Sequence, residues 1–151
     1  MKLLFDSDKF VAQWVAQRLG LVIGFGSCSA IGVIRHERLI AGVVYHDYRP
    51  TYASLQMSVA AEPKIRWATP QNLRAFFYYP FEQLQCQSVY VACAKENLHA
   101  RAFVAKIGFK PVGLLRRGFR TDDAVLYDML PSECAWLRSS DERLSIAAAR
   151  A

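Results

Sequence analysis

Three runs rich in Val, Ile and Tyr, at 30–35, 39–48 and 53–60, are broken at His36-Glu37-Arg38 and Arg49-Pro50-Thr51. Breaks this short suit antiparallel hairpins, so a three-stranded meander is expected here. In the third run Ser54, Gln56 and Ser58 alternate with Leu55, Met57 and Val59, which gives one polar and one apolar face. Helical patterns flank the meander. At 8–19, Phe10, Val11, Trp14, Val15 and Leu19 recur at helical spacing; Ser7 or Asp8 can cap the start, and Gly20 follows the end. A second helix is expected over 70–85, with Thr69 as N-cap and Pro70 at the tolerated first position. Leu73, Phe76, Phe77, Phe81 and Leu84 form its apolar face, and Pro80 inside the pattern predicts a kink or local unwinding. The run 88–94 reads as a buried strand. Asn97 opens a third helix that closes at Lys106 and Gly108, and 110–117 and 123–130 read as two last strands. The order is that of an α+β fold with a mixed sheet.

Charge is unevenly spread. Of the net +6, the stretch from Lys64 to Arg120 has ten basic and two acidic residues, a balance of +8, while the remainder is at −2. Such a positive region suits an anionic ligand, and the phosphates of a cofactor or of nucleic acid both fit. A hydrophobic fraction of 53% is enough for a core and argues against wholesale disorder. No apolar stretch approaches the ~20 residues of a membrane span. Asp6, Asp8 and Gln13 interrupt the opening residues where a signal peptide needs an apolar run. Cys28, Cys86, Cys93 and Cys134 show no CxxC or metal-ligand spacing and read as buried thiols. The expectation is a soluble, cytoplasmic chain with one domain over 1–138 and a tail over 139–151.

The segment from Asn97 to Phe109, a helix opened by Asn and ending in Lys106-Ile107-Gly108-Phe109, resembles the GNAT superfamily of acyl-CoA-dependent N-acetyltransferases. Gly113-Leu114-Leu115-Arg116-Arg117 and the run from Asp123 to Leu130 resemble the tail of its subgroup that acetylates ribosomal-protein N-termini. Trp67-Ala68-Thr69 and Tyr79-Pro80-Phe81 are similar to stretches of its short, phage-associated members. The likeness covers 9–137. It implies a mostly antiparallel sheet of six to seven strands, helices on both faces, and one splayed parallel pair formed by 53–60 and 88–94. It also implies acetyl-CoA as co-substrate, the main chain of Met57, Ser58 and Val59 pairing with its pantetheine, and Asn97 reaching it from the other side. The family's phosphate loop falls on Lys64, Trp67 and Thr69, and both of its glycines are absent. Thr69 could substitute through its hydroxyl, with the Gln71 and Asn72 N–H groups behind it. Asn97 and Thr69 also read as plain helix caps, the less favoured reading for Thr69.

Transfer to an amine needs an unprotonated nitrogen, a polarised carbonyl and a proton for the leaving thiolate. The family's usual acids fall on Val104 and Ala100 here, and Gln56 stands where a Glu base is common. His46, Ser58 and Tyr127 are the catalytic candidates that remain, with Asp47 and His99 also within the pattern. His46 is the histidine inside an expected strand, although packed histidines are common in strands. The leading expectation is an acetyl-CoA-dependent N-acetyltransferase using an amine acceptor of unread identity. The alternatives are a CoA-binding protein without transferase activity and a nucleic-acid-binding or base-modifying protein, the latter less favoured. Exposed sheet edges leave room for a homodimer.

Overall fold

A computed structural model describes residues 1–138; the tail expected over 139–151 lies outside the described residues. The chain runs β1 (Lys2–Leu4), α1 (Asp8–Leu19), β2 (Cys28–Arg35), β3 (Arg38–Arg49), β4 (Ser54–Ala61), α2 (Pro70–Tyr78), β5 (Ser88–Ala94), α3 (Leu98–Lys106), β6 (Lys110–Leu115) and β7 (Ala124–Met129). The seven strands form one sheet in the order β1-β2-β3-β4-β5-β7-β6. All neighbours are antiparallel except β4 and β5. The meander is therefore β2-β3-β4, and β1 is an addition that the sequence reading did not place.

Each face of the sheet is covered by different helices. α1 lies on one face, where Val11 and Val15 are buried with Ala30 and Val44. It sits close because Gly32 and Gly42 face each other across β2 and β3. A Cβ on Gly42 would lie 2.7 Å from Val15 Cγ2 and 2.9 Å from Val11 Cγ1. Gly20 ends α1 in the left-handed conformation, φ 70°, with its N–H bonded to the Ala16 and Gln17 carbonyls. The expected cap at the other end takes a different form. Ser7 makes no side-chain cap bond, and Asp8 accepts the Ala30 N–H at 2.9 Å, tying the start of α1 to β2.

α2 and α3 pack on the opposite face over the larger core, which holds Leu55, Phe76, Phe77, Val89, Val104 and Phe109. The interruption expected at Pro80 is a π-turn over Tyr79–Gln83. Pro80 has no N–H for the Phe76 carbonyl four residues earlier, and the Tyr45 hydroxyl donates to that carbonyl instead, at 2.7 Å. Cys86, Cys93 and Cys134 are buried, while Cys28 is half-buried.

Candidate active site

β4 and β5 pair only at Ser54↔Ser88, Leu55↔Val89 and Gln56↔Tyr90. Beyond that point β4 continues to Ala61 against β3, and β5 continues to Ala94 against β7. The two strands thus part and leave a gap, which is the splayed pair implied by the family resemblance. Ladder parity decides which backbone groups face it. The Glu62 N–H donates to the Ile40 carbonyl on the β3 side, and the Ala53 carbonyl accepts from Gln87 on the β5 side. Alternation then turns the main chain of Gln56, Ser58 and Ala60 toward β3, and that of Met57 and Val59 toward β5. Past the last register, the Met57 carbonyl and the Val59 N–H and carbonyl open on the gap, an edge suited to an extended ligand. Of the three expected main-chain positions, Met57 and Val59 front the gap, whereas the backbone of Ser58 faces Val44 in the ladder.

The Ser58 side chain lies on the α1 side of the sheet, with those of His46, Gln56 and Tyr90. His46 Nε2 and Ser58 Oγ are hydrogen-bonded at 2.8 Å. The Phe25 ring, from the α1–β2 loop, stands 4.8 Å from the imidazole centroid. Burial lowers the His46 pKa, against a smaller opposing pull from the Asp47 carboxylate. The imidazole is therefore neutral at pH 7 and free to take a proton.

A second polar pair adjoins the first. Asp47 sits where the β3–β4 register slips, with φ 51°, and its carboxylate accepts the Tyr90 hydroxyl and, at 3.4 Å, Arg49 Nε. Burial first, then the bond to Asp47 and its charge, raise the Tyr90 pKa to about 12. The same bond leads the causes that lower the Asp47 pKa. Tyr90 belongs to the last register before the strands part, so this pair sits at the apex of the gap. Tyr90 was not among the residues singled out from sequence.

Tyr127 is elsewhere. It pairs with Val91 and shares the face that packs on α3, the opposite side from His46 and Ser58. Its phenol oxygen accepts from Arg101 Nε at 3.0 Å, and the same guanidinium donates to the Lys95 carbonyl. The structure thus brings His46 and Ser58 together and leaves Tyr127 out. On α3, Val104 is buried and Ala100 half-buried, so neither position offers a proton donor. His99 is exposed.

At the wide end of the gap, Thr69 caps α2 by accepting the Asn72 N–H at 3.2 Å. With that donor committed and none on Pro70, the free N–H in the first turn is that of Gln71. The expected contribution of the Asn72 N–H is thereby replaced by a structural one. Asn72 is buried, and its side-chain amide donates to the Trp67 carbonyl at 2.8 Å. The Trp67 ring sits 6.0 Å from Phe76 and 5.4 Å from Phe103, joining α2 to α3. Lys64 is exposed and left-handed at φ 64°, and Arg66 is exposed beside it. Asn97 caps α3 by accepting the Ala100 N–H at 3.1 Å.

Across the gap, Lys95 and the β6–β7 hairpin form the other basic wall. The hairpin is tied to the β5–α3 link by Lys95 N–H to the Asp123 carbonyl and Glu96 N–H to Asp122, and it exposes Arg116, Arg117 and Arg120. Six of the ten basic residues in the positive stretch, Lys64, Arg66, Lys95, Arg116, Arg117 and Arg120, thus flank the open end of the gap, where they raise the local concentration of anions.

No protein-family model matches the chain, and no curated protein matches its sequence. Solved structures do match. A chimera of the spermidine N-acetyltransferase from Vibrio cholerae and hSSAT superposes at a TM-score of 0.70 and 16% identity, over 91% of this chain and all of that one. A probable acetyltransferase superposes at 0.62 and 21% identity, over 80% of this chain and 69% of the other. A dodecameric spermidine N-acetyltransferase from Vibrio cholerae superposes at 0.62 and 20% identity, over 71% and 67%. At these identities the likeness is one of fold, and the chain has the mixed, splayed-sheet fold that its sequence resemblance implies.

Proposed function

We propose that the chain is an N-acetyltransferase that takes its acetyl group from acetyl-CoA and passes it directly to an amine in a ternary complex. The observation behind this reading is the β4–β5 gap, which places a free main-chain edge beside a neutral His46–Ser58 pair. The fold shared with N-acetyltransferases supports it. The residues present fit the donor. The Met57 and Val59 carbonyls match the amide N–H groups of pantetheine, and the Gln71 N–H, Thr69, Lys64 and Arg66 lie at the wide end for the donor's phosphates. Acetyl-CoA supplies an activated acyl group, and transfer exchanges its C–S bond for a C–N bond to the amine.

The Val59 N–H, facing the gap, polarises the acyl carbonyl. Ser58 Oγ takes the proton of the attacking amine while giving its own to His46 Nε2. Water returns a proton to the thiolate, since Val104 and Ala100 have none to give. Asp47, held ionised by Tyr90 and Arg49, attracts a cationic acceptor to the apex of the gap. Spermidine, named in the solved relatives, and N-terminal peptides of ribosomal-protein type are the first acceptors to try. The finer likeness to short, phage-associated members rests on Trp67-Ala68-Thr69 and Tyr79-Pro80-Phe81.

The test is thiol release and acetylated product from a panel of amines incubated with acetyl-CoA. Product is expected, with kcat falling roughly 10²- to 10⁴-fold in His46→Gln. Saturable acetyl-CoA binding with no product from any amine favours a second reading, a CoA-binding protein without transferase activity. The apolar residues at 100 and 104 favour that reading.

A further inference from the structure

The structure assigns a second ligand site, for a small organic cation, to a cavity of about 700 Å³ on the far side of α2 from the β4–β5 gap. No residue of β4 or β5 lines it, and the one residue it shares with the proposed acetyl-CoA site is Gln71, at the phosphate end, so a molecule bound there is apart from an acyl group in the gap. The cavity lies between the β1–α1 turn, the β2–β3 face of the sheet and the outer side of α2, and its size is in the range of small-molecule pockets.

Its walls combine aromatic rings with carboxylates. Tyr45 and Tyr79 meet edge to face with centroids 4.9 Å apart. Their hydroxyls are both committed, Tyr45 to the Phe76 carbonyl at 2.7 Å and Tyr79 to Ser29 Oγ at 2.9 Å, so both rings are fixed before any ligand arrives. The Pro80 interruption creates this arrangement, since it frees the carbonyl that holds Tyr45. Tyr78 adds a third ring that is 46% exposed, accessible to a ligand.

Asp6 and Asp8 supply the charge. Asp8 spends one oxygen on the Ala30 N–H, while Asp6, at φ 57°, is exposed and has no hydrogen bond or ion pair among the described residues. Among the described residues Arg74 is the one cation in the lining, and it donates to the Leu137 carbonyl. Two carboxylates against one guanidinium make this a negative recess in a chain of net charge +6. Aromatic rings beside carboxylates recognise ammonium groups by cation–π and Coulomb attraction together. A bare divalent metal would require a shell of oxygen ligands instead. The ligand class is therefore an alkylammonium, primary or quaternary.

Calorimetric titration of the full chain with putrescine and with tetramethylammonium, using neutral 1,4-butanediol as control, tests the assignment. Saturable binding of both cations and none of the diol is expected. Affinity should fall at least tenfold in Asp6→Asn and in Tyr78→Ala, both exposed positions whose variants are checked for folding by circular dichroism. His46→Gln should bind the cations as the parent does. The assignment is overturned if neither cation binds or if the diol binds equally well. It is also overturned if affinity survives both substitutions, or if it is lost in His46→Gln, which would locate the amine in the gap. Because the readout is binding alone, the result is independent of acetyl transfer.

Discussion

Replacing Tyr45 with Phe removes one hydroxyl and leaves one carbonyl without its partner. Tyr45 is 3% exposed and Phe76 1%, so the Phe76 carbonyl loses the 2.7 Å bond in a place closed to bulk water. A buried polar group deprived of its partner costs about 1–3 kcal/mol. Taking about 2 kcal/mol, and about 4 °C per kcal/mol for a domain of this size, Tm should fall by about 8 °C. The cause can be isolated, because the carbonyl needs Tyr45 only while residue 80 lacks an N–H. In a Pro80→Ala background the restored N–H can serve it, and Tyr45→Phe should then cost less than half as much. A urea-denaturation double-mutant cycle measures the difference as a coupling of about 1 kcal/mol. Equal costs in the two backgrounds would refute the link between Pro80 and Tyr45. So would a cost below about 0.5 kcal/mol in the parent, within the range of an ordinary surface substitution.

Other consequences are as specific. Gly42→Ala puts a methyl 2.7 Å from Val15 and 2.9 Å from Val11, and should destabilise by about 1–3 kcal/mol in urea titration as α1 is pushed off the sheet. Because burial lowers the His46 pKa from 6.5, the imidazole is the working base above that lowered value and is lost to protonation below it. kcat/KM should therefore decline on the acid side with a midpoint under 6.5, a limb that His46→Gln abolishes. Tyr127→Phe should leave kcat within about threefold of the parent, far short of the 10² or more expected for a catalytic acid, since its hydroxyl is bonded to Arg101 on the other face.

Much of the fold was legible because its signals are local. The short breaks at 36–38 and 49–51 specify the hairpins, Thr69 with Pro70 opens α2, and Gly20 closes α1. β1 escaped because Lys2-Leu3-Leu4 is too short to show alternation; it is a strand only through its pairing with β2. Of the candidate site, His46, Ser58 and Asp47 were singled out from sequence; Tyr90 and the grouping of these side chains were not. His46 and Ser58 are both visible as polar residues on strands, but their bond depends on the register that sets His46 opposite Gln56. Tyr90 looks like an ordinary strand residue, and its bond to Asp47 spans 43 positions and relies on a register slip no local pattern announces. Tyr127 lies on its expected strand, but the sequence did not show that it faces away from His46 and Ser58. A one-residue difference in parity decides which face a strand side chain takes.

Acetyl transfer by this chain requires the β4–β5 gap to be the seat of an acyl-CoA. Calorimetric titration with acetyl-CoA, using desulfo-CoA and ATP as controls, addresses that directly. Saturable binding of acetyl-CoA and of desulfo-CoA, with none of ATP, is the predicted result, because the pantetheine arm supplies the main-chain pairing that ATP lacks. Absence of binding up to about 1 mM, where the free energy is only about −4 kcal/mol, would contradict it.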